Sequence, residues 1–287
     1  MRSNTTMPNP VRGAERTARN AANSRVMRGL ARLGYVAKGV VYIIIGFLAG
    51  KLALGQGGQA TDQRGALRDI AGQPFGKFLL IVVAIGLLAF GLWSLIQAIY
   101  DTEGEGRKAK GIIARIGYAV VGIAYLALAF GAYQLATGSG NGGNSSTTST
   151  QDATAKLLSL PLGVPLVVIV GLVILGIAVY LYARAYSAKF QRRLALSNLR
   201  SQVRKAMVFL GRLGYAALGV VFTIIGIFLI IAAVQFNPQK AKGLDAALGE
   251  LQKLPPGHLL LGLVALGLIA YGIYSFIEAR YRRLGRA

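Results

Sequence analysis

Charge almost vanishes from the long apolar stretches of this chain; Lys38, Lys51 and Glu278 are the main exceptions, the last two near the end of a stretch. An ion inside an apolar stretch is where pumps and transporters keep proton relays and substrate contacts. An arginine beside a glutamate makes a charge-assisted pair. Arg212 belongs to a phrase that is written three times. Arg32, Gly34 and Tyr35 are followed by Gly39; Arg115, Gly117 and Tyr118 by Gly122; Arg212, Gly214 and Tyr215 by Gly219. Each phrase opens a long apolar run. The plain chemistry of such a phrase is an arginine anchored to lipid phosphate and a tyrosine in the aromatic belt of an interface. A sharper chemistry follows from depth. The returning stretch of each repeat places Gln97, Tyr182 and Glu278 level with the arginines, so an Arg212–Glu278 pair is expected to clamp the third repeat at its base. Lys38 has no counterpart in the other repeats, where Val121 and Leu218 stand. One turn inside the first run, it is expected to snorkel to the headgroups.

Other reactive groups are sparse. There is no cysteine and a single histidine, His258, so neither a thiolate nucleophile nor a multi-histidine metal site can be assembled. The acids lie mostly between apolar runs, at Asp62, Asp69, Asp101, Glu103, Glu105, Asp152, Asp245 and Glu250. No phosphate-binding loop or dinucleotide fingerprint is present. The expectation is therefore no catalytic residue, no metal, no cofactor and no enzyme.

The elements that position these groups are spelled out by hydropathy. The 287 residues are 54% hydrophobic with mean hydropathy +0.53. The excess falls in six windows, 34–54, 78–99, 115–136, 164–184, 211–234 and 259–278, each near the length of roughly 20 residues that a helix needs to cross a bilayer. The fold class expected is all-α: a polytopic membrane protein of six transmembrane helices in three parallel hairpin repeats. The segments are a disordered basic tail 1–27, repeat one 28–100, a linker 101–110, repeat two 111–184, a basic amphipathic linker 185–206, and repeat three 207–287. Parallel repeats differ from the inverted ones that mark many secondary transporters. A pseudo-threefold bundle is the natural packing, with side-by-side hairpins as the other arrangement.

Within each repeat an outer loop ends in an amphipathic segment and a Pro-x-Gly turn: Pro74 and Gly76, Pro161 and Gly163, Pro255 and Gly257. Proline forces the residue before it out of the helical region, so it ends the amphipathic segment and turns the chain into the next span. In repeat three Leu244, Ala247, Leu248, Leu251 and Leu254 recur at helical spacing. Repeat two instead has Gly138–Thr150, whose Gly, Asn, Ser and Thr read as a flexible loop. The second spans each carry two glycines five apart: Gly86 and Gly91, Gly171 and Gly176, Gly267 and Gly272. Helices associate in lipid by close packing that small residues permit, and that is the role expected of them; a widened path for solute is the alternative.

The net charge is +22. With the loops assigned to alternate sides, the side holding both termini collects 24 of the 32 Lys and Arg. That bias places both termini in the cytoplasm. It also favours anionic headgroups at that face, by about 1 kcal/mol per basic side chain near the surface, and makes nucleic acid an unneeded partner.

The threefold Arg-[Leu/Ile]-Gly-Tyr-x3-Gly phrase, the Pro-x-Gly turn and the glycine pair together resemble the domain-of-unknown-function 1206 family of bacterial inner-membrane proteins. That resemblance covers about residues 28–283 and implies tandem two-helix units, typically three per chain. It implies no activity. Three classes of role remain: a structural or partner-binding membrane module, through a membrane protein or self-association; a pore for a small solute; and an accessory protein acting through its basic cytoplasmic segments. Where Ser94, Gln97, Thr223 and Ser275 point separates them, since convergence on one axis favours conduction and local pairing favours structure.

Overall fold

The computed structural model describes residues 25–56, 59–100, 109–140, 143–188, 190–191 and 200–282. The basic tail before residue 25, residues 101–108 of the first linker, and residues 189 and 192–199 of the basic linker lie outside them. Among the described residues there are nine α-helices, one 3-10 turn and no strand. They are α1 (Arg25–Ala53), α2 (Gln63–Ala71), α3 (Gly76–Tyr100), α4 (Ala109–Thr137), α5 (Ser146–Leu158), α6 (Gly163–Ser187), α7 (Ser201–Val234), α8 (Leu244–Lys253) and α9 (Gly257–Tyr281). The long ones, α1, α3, α4, α6, α7 and α9, are each long and apolar enough to cross a membrane. The chain is a multi-pass membrane protein of six such helices.

The three turns into the second spans share one close contact. At each, the glycine of Pro-x-Gly lies against a carbonyl at the end of the preceding amphipathic helix: Gly76 against Ile70, Gly163 against Leu157 and Gly257 against Gln252. A Cβ there would collide with backbone, which accounts for the invariant spacing. Phe75 and Leu162, the middle residues, take φ of 61° and 65°, a region unfavourable to side chains. Gly138–Thr150 departs from the flexible loop expected of it. The Ser145 side chain caps α5 by accepting from Thr148 N–H, so the serine-threonine run starts a helix at Ser146. Capping preference outweighs the weak interior propensity of these residues.

The membrane helices do not pair chiefly within their own repeats. The most extensive seams join α1 to α9, α3 to α4 and α6 to α7. Each therefore joins the second span of one repeat to the first span of the next, cyclically. Lesser seams within repeats join α1 to α3 and α7 to α9. No comparable seam joins α4 to α6. The arrangement is a pseudo-threefold ring with one of its six lateral contacts missing. Only 11% and 17% of the spans in α4 and α6 are buried, against 44–56% for the other four.

The missing contact has a local cause. Gly86 and Gly267 lie against Ala37 and Ala217, so close that a Cβ on Gly86 would stand 2.6 Å from that of Ala37. The matching residue in repeat two is Val120, which is 62% exposed. A β-branched side chain at that position is too large for the approach that Ala37 and Ala217 make to their glycines. Its expected mate, Gly171, turns instead to α7, against Ile230 and Gly226.

The ends of the spans that carry the amphipathic helices are tied by polar contacts. Asp62, the N-cap of α2, also accepts from Ser146 N–H. Asp245 accepts from the Ser146 hydroxyl at 2.9 Å and from Thr147 N–H at 3.1 Å. The Ser146 hydroxyl in turn accepts from Leu244 N–H. The N-terminal ends of the three amphipathic helices thus converge on Ser146 and Thr147.

Candidate functional site

The ends of the six spans on the side of the Arg-Gly-Tyr phrases surround a column of aromatic rings. Tyr35 packs edge-on to Phe90 with centroids 5.1 Å apart, Phe90 to Tyr125 at 4.6 Å, Tyr42 to Tyr271 at 4.9 Å and Tyr215 to Tyr271 at 5.6 Å. Phe190, from the segment after α6, adds contacts to Tyr215 and Tyr274. Helical spacing on α1 explains part of the column, because positions 35, 38 and 42 share one face. The repeat explains another part: Tyr42 and Tyr125 are matching residues, and they share a hydrogen bond.

Three cations are set among these rings. Lys38 is only 7% exposed. Its Nζ lies 4.5 Å from the Tyr271 centroid, 5.4 Å from Phe90 and 5.8 Å from Tyr35. It does not snorkel to the headgroups as expected, because the face it shares with Tyr35 and Tyr42 turns inward. Arg184 stacks on Tyr215 at 4.4 Å, and Arg282 on Tyr35 at 5.1 Å. One carboxylate answers them: Glu278 accepts from Arg282 at 3.0 Å in a buried pair and lies within electrostatic reach of Arg184. Three cations and one anion leave the cluster electropositive. Cation–π contacts are worth about 0.5–2 kcal/mol each, whereas the desolvation of an ion costs several. The rings therefore offset Lys38 only in part.

The repeat-phrase arginines do something else. Arg115 donates to the carbonyls of Ala98 and Ile99 at 2.6 and 2.8 Å, and Arg212 to that of Tyr186 at 3.1 Å. Each thereby caps the C-terminal end of the preceding repeat's second span, where orphan carbonyls and the helix dipole favour a cation. Arg212 and Glu278 accordingly have different partners from the mutual pair expected. Tyr35 and Tyr215 are buried in the column and not in an interfacial belt, while Tyr118 is half-buried.

The glycines divide by position. Gly39 and Gly272 meet backbone to backbone, as do Gly91 and Gly122, while Gly34 and Gly214 accommodate Phe90 and Tyr271. Gly219 lies under the ring of Tyr182, whereas Gly117 and Gly176 meet nothing within 4 Å. Tyr182 occupies the position of Gln97 and Glu278, and its ring fills the space over Gly219 between α6 and α7. The closest approach there moves outward to Gly171 and Gly226.

Arg184 and Arg282 were not singled out from sequence, because they close apolar runs and so look like ordinary interfacial basic residues. Among the described residues, no group of three or more His, Asp or Glu is placed to hold a metal ion.

The sequence model described as "Domain of Unknown Function (DUF1206)" matches three times, over 33–101, 116–188 and 213–282. The chain belongs to that family. The three matches coincide with the three hairpins, so the DUF1206 unit is a pair of spans with an amphipathic helix between them. A relative described as "Uncharacterized protein YxxB", from Bacillus subtilis (strain 168), is 35% identical over 258 residues, covering 90% of this chain and 92% of its own. No solved structure matches.

Proposed function

We propose that this DUF1206 protein is a non-enzymatic binding module of the bacterial inner membrane, with the open second repeat as its binding side. The observation that carries this reading is the missing α4–α6 contact in a ring otherwise closed by tight seams. Four spans are committed to one another. The other two present large apolar faces, including Ile113, Ile116, Val120 and Ile123 on α4 and Ile169, Val173 and Val179 on α6. The span polar groups favour binding over conduction, since the Ser275 hydroxyl donates to Tyr271 O at 3.0 Å and that of Thr223 to Gly219 O at 2.8 Å. Such local bonds leave these hydroxyls little to offer a solute.

The cysteine-free sequence makes the test clean. Single cysteines at Val120 and Val179 carry a photocrosslinker in native membranes, with Leu263→Cys on α9 as the reference. Adducts concentrated at the first two positions support the reading. Equal adducts at all three remove it, and solute flux through liposomes holding the purified chain puts the pore in its place.

Both termini are assigned to the cytoplasm, supported by the uneven distribution of Lys and Arg. Ser201→Cys is expected to react with an impermeant maleimide only after the membrane is opened, and Lys240→Cys in intact spheroplasts. The reverse pattern inverts the topology.

A further inference from the structure

We propose that an anionic phospholipid enters the α4–α6 gap from the inner leaflet and places its phosphodiester against Lys38 and Arg184. This rests on the reading of the second repeat as the binding side. Three observations converge on it. Lys38 is more than nine-tenths buried, and among the described residues the contacts of its ammonium are three aromatic faces. The Tyr274 hydroxyl, fully buried, has no hydrogen-bond partner. Arg184, on α6, and Tyr125, on α4, both lie within electrostatic reach of Tyr271, the ring on which Lys38 rests. The two helices that fail to touch thus flank the same cation cluster.

The nearest carboxylate does not oppose an incoming anion. Glu278 is held by Arg282 at 3.0 Å, so the remaining charge of Lys38 and Arg184 is positive. A phosphodiester supplies acceptor oxygens to both cations, and arginine matches a phosphate with paired donors. The route is lateral. On the α4 side it is walled by Ile116 and Val120, both exposed, which suit acyl chains and offer a soluble anion nothing. The excess of basic residues at the same membrane face would concentrate anionic lipid there.

The test uses the full-length chain in a mild detergent with an equimolar mixture of phosphatidylglycerol and phosphatidylcholine, read by native mass spectrometry. The wild type is expected to retain phosphatidylglycerol with at least tenfold preference. Lys38→Met and Arg184→Gln are each expected to reduce that preference by tenfold or more. Val120→Trp, which fills the gap and leaves every cation in place, is expected to expel the lipid while helicity is kept. Equal retention of the two lipids by the wild type overturns the proposal whether or not the variants fold. So does displacement of the lipid by millimolar inorganic phosphate, which would define a soluble-anion site. A protein adduct at Val120→Cys without retained lipid would leave the second repeat as the binding side and remove the lipid.

Discussion

The same glycine of the repeat should matter at one position and not at another. Gly272 and Gly176 match in sequence, each the second glycine of its span. A Cβ on Gly272 would lie 2.7 Å from Gly39 O and 3.0 Å from Ile43 N, while a Cβ on Gly176 meets nothing within 4 Å. Ordinary contact begins at 3.4 Å, so Gly272→Ala obliges α1 and α9 to part by about 0.7 Å, the difference between those distances. Ile43 Cγ1 would also lie at 2.6 Å, but because the other two atoms are backbone no rotamer change of Ile43 relieves the clash. Overpacking of this kind costs about 1–3 kcal/mol. Replacing glycine inside a helix returns up to about 1 kcal/mol. Gly272→Ala should therefore lose about 1–2 kcal/mol and Gly176→Ala should gain up to about 1. At roughly 2–4 °C per kcal/mol, the two Tm values should differ by roughly 2–12 °C. Thermal unfolding in detergent reads this directly through Trp93, the sole tryptophan, which is buried. Equal Tm shifts for the two variants would refute the cyclic seam.

Ala37→Val should open the first repeat as Val120 opens the second, lowering stability by about 1–3 kcal/mol through overpacking. Val120→Ala should change it by less than about 0.5 kcal/mol, and a comparable loss from both would contradict the account. Arg115→Met removes two hydrogen bonds to the end of α3 and should cost about 1–2 kcal/mol; faster amide exchange confined to the last turn of α3 is the signature. Burial alone would raise the Asp245 carboxyl, but hydrogen bonds from Thr147, Ser146, Ala246 and Ser145 hold it below its ordinary value of 3.8. A depressed carboxyl contributes stability above its unfolded value, near 3.9, and loses it as pH falls through the lower folded value. Tm should drop on acidification below about pH 4, and Asp245→Asn should flatten that limb.

The spans were legible because eighteen or more apolar residues admit one reading in a membrane, and the threefold phrase gave the topology. Their pairing was not legible. The repeat marks which helices are alike, not which are neighbours, and the principal seams run between repeats. The sign of the open hairpin was visible as Val120 in place of Ala37 and Ala217. It carries meaning only once those alanines are known to face Gly86 and Gly267. Lys38 could have been placed better, since its spacing from Tyr35 and Tyr42 puts it on their face, which the structure turns inward. Arg184 and Arg282 end helices, where a basic residue is too ordinary to distinguish. The helix at Ser146 was hidden because its cap and anchors use residues common in loops.

Because α1 finds its principal partner in α9, the first span made waits for the last. About 200 residues separate Ala53 from Gly257, an interval of roughly 10–40 seconds at ordinary synthesis rates. During it α1 stands in the bilayer as the least hydropathic of the six spans, with the Lys38 charge lacking Tyr271 and the Gly39 face uncovered. The α1–α9 seam can form only once α9 has been made. A chain that stops short of α9 leaves that lysine and that glycine face exposed together, a mark of incompleteness that a membrane protease can read.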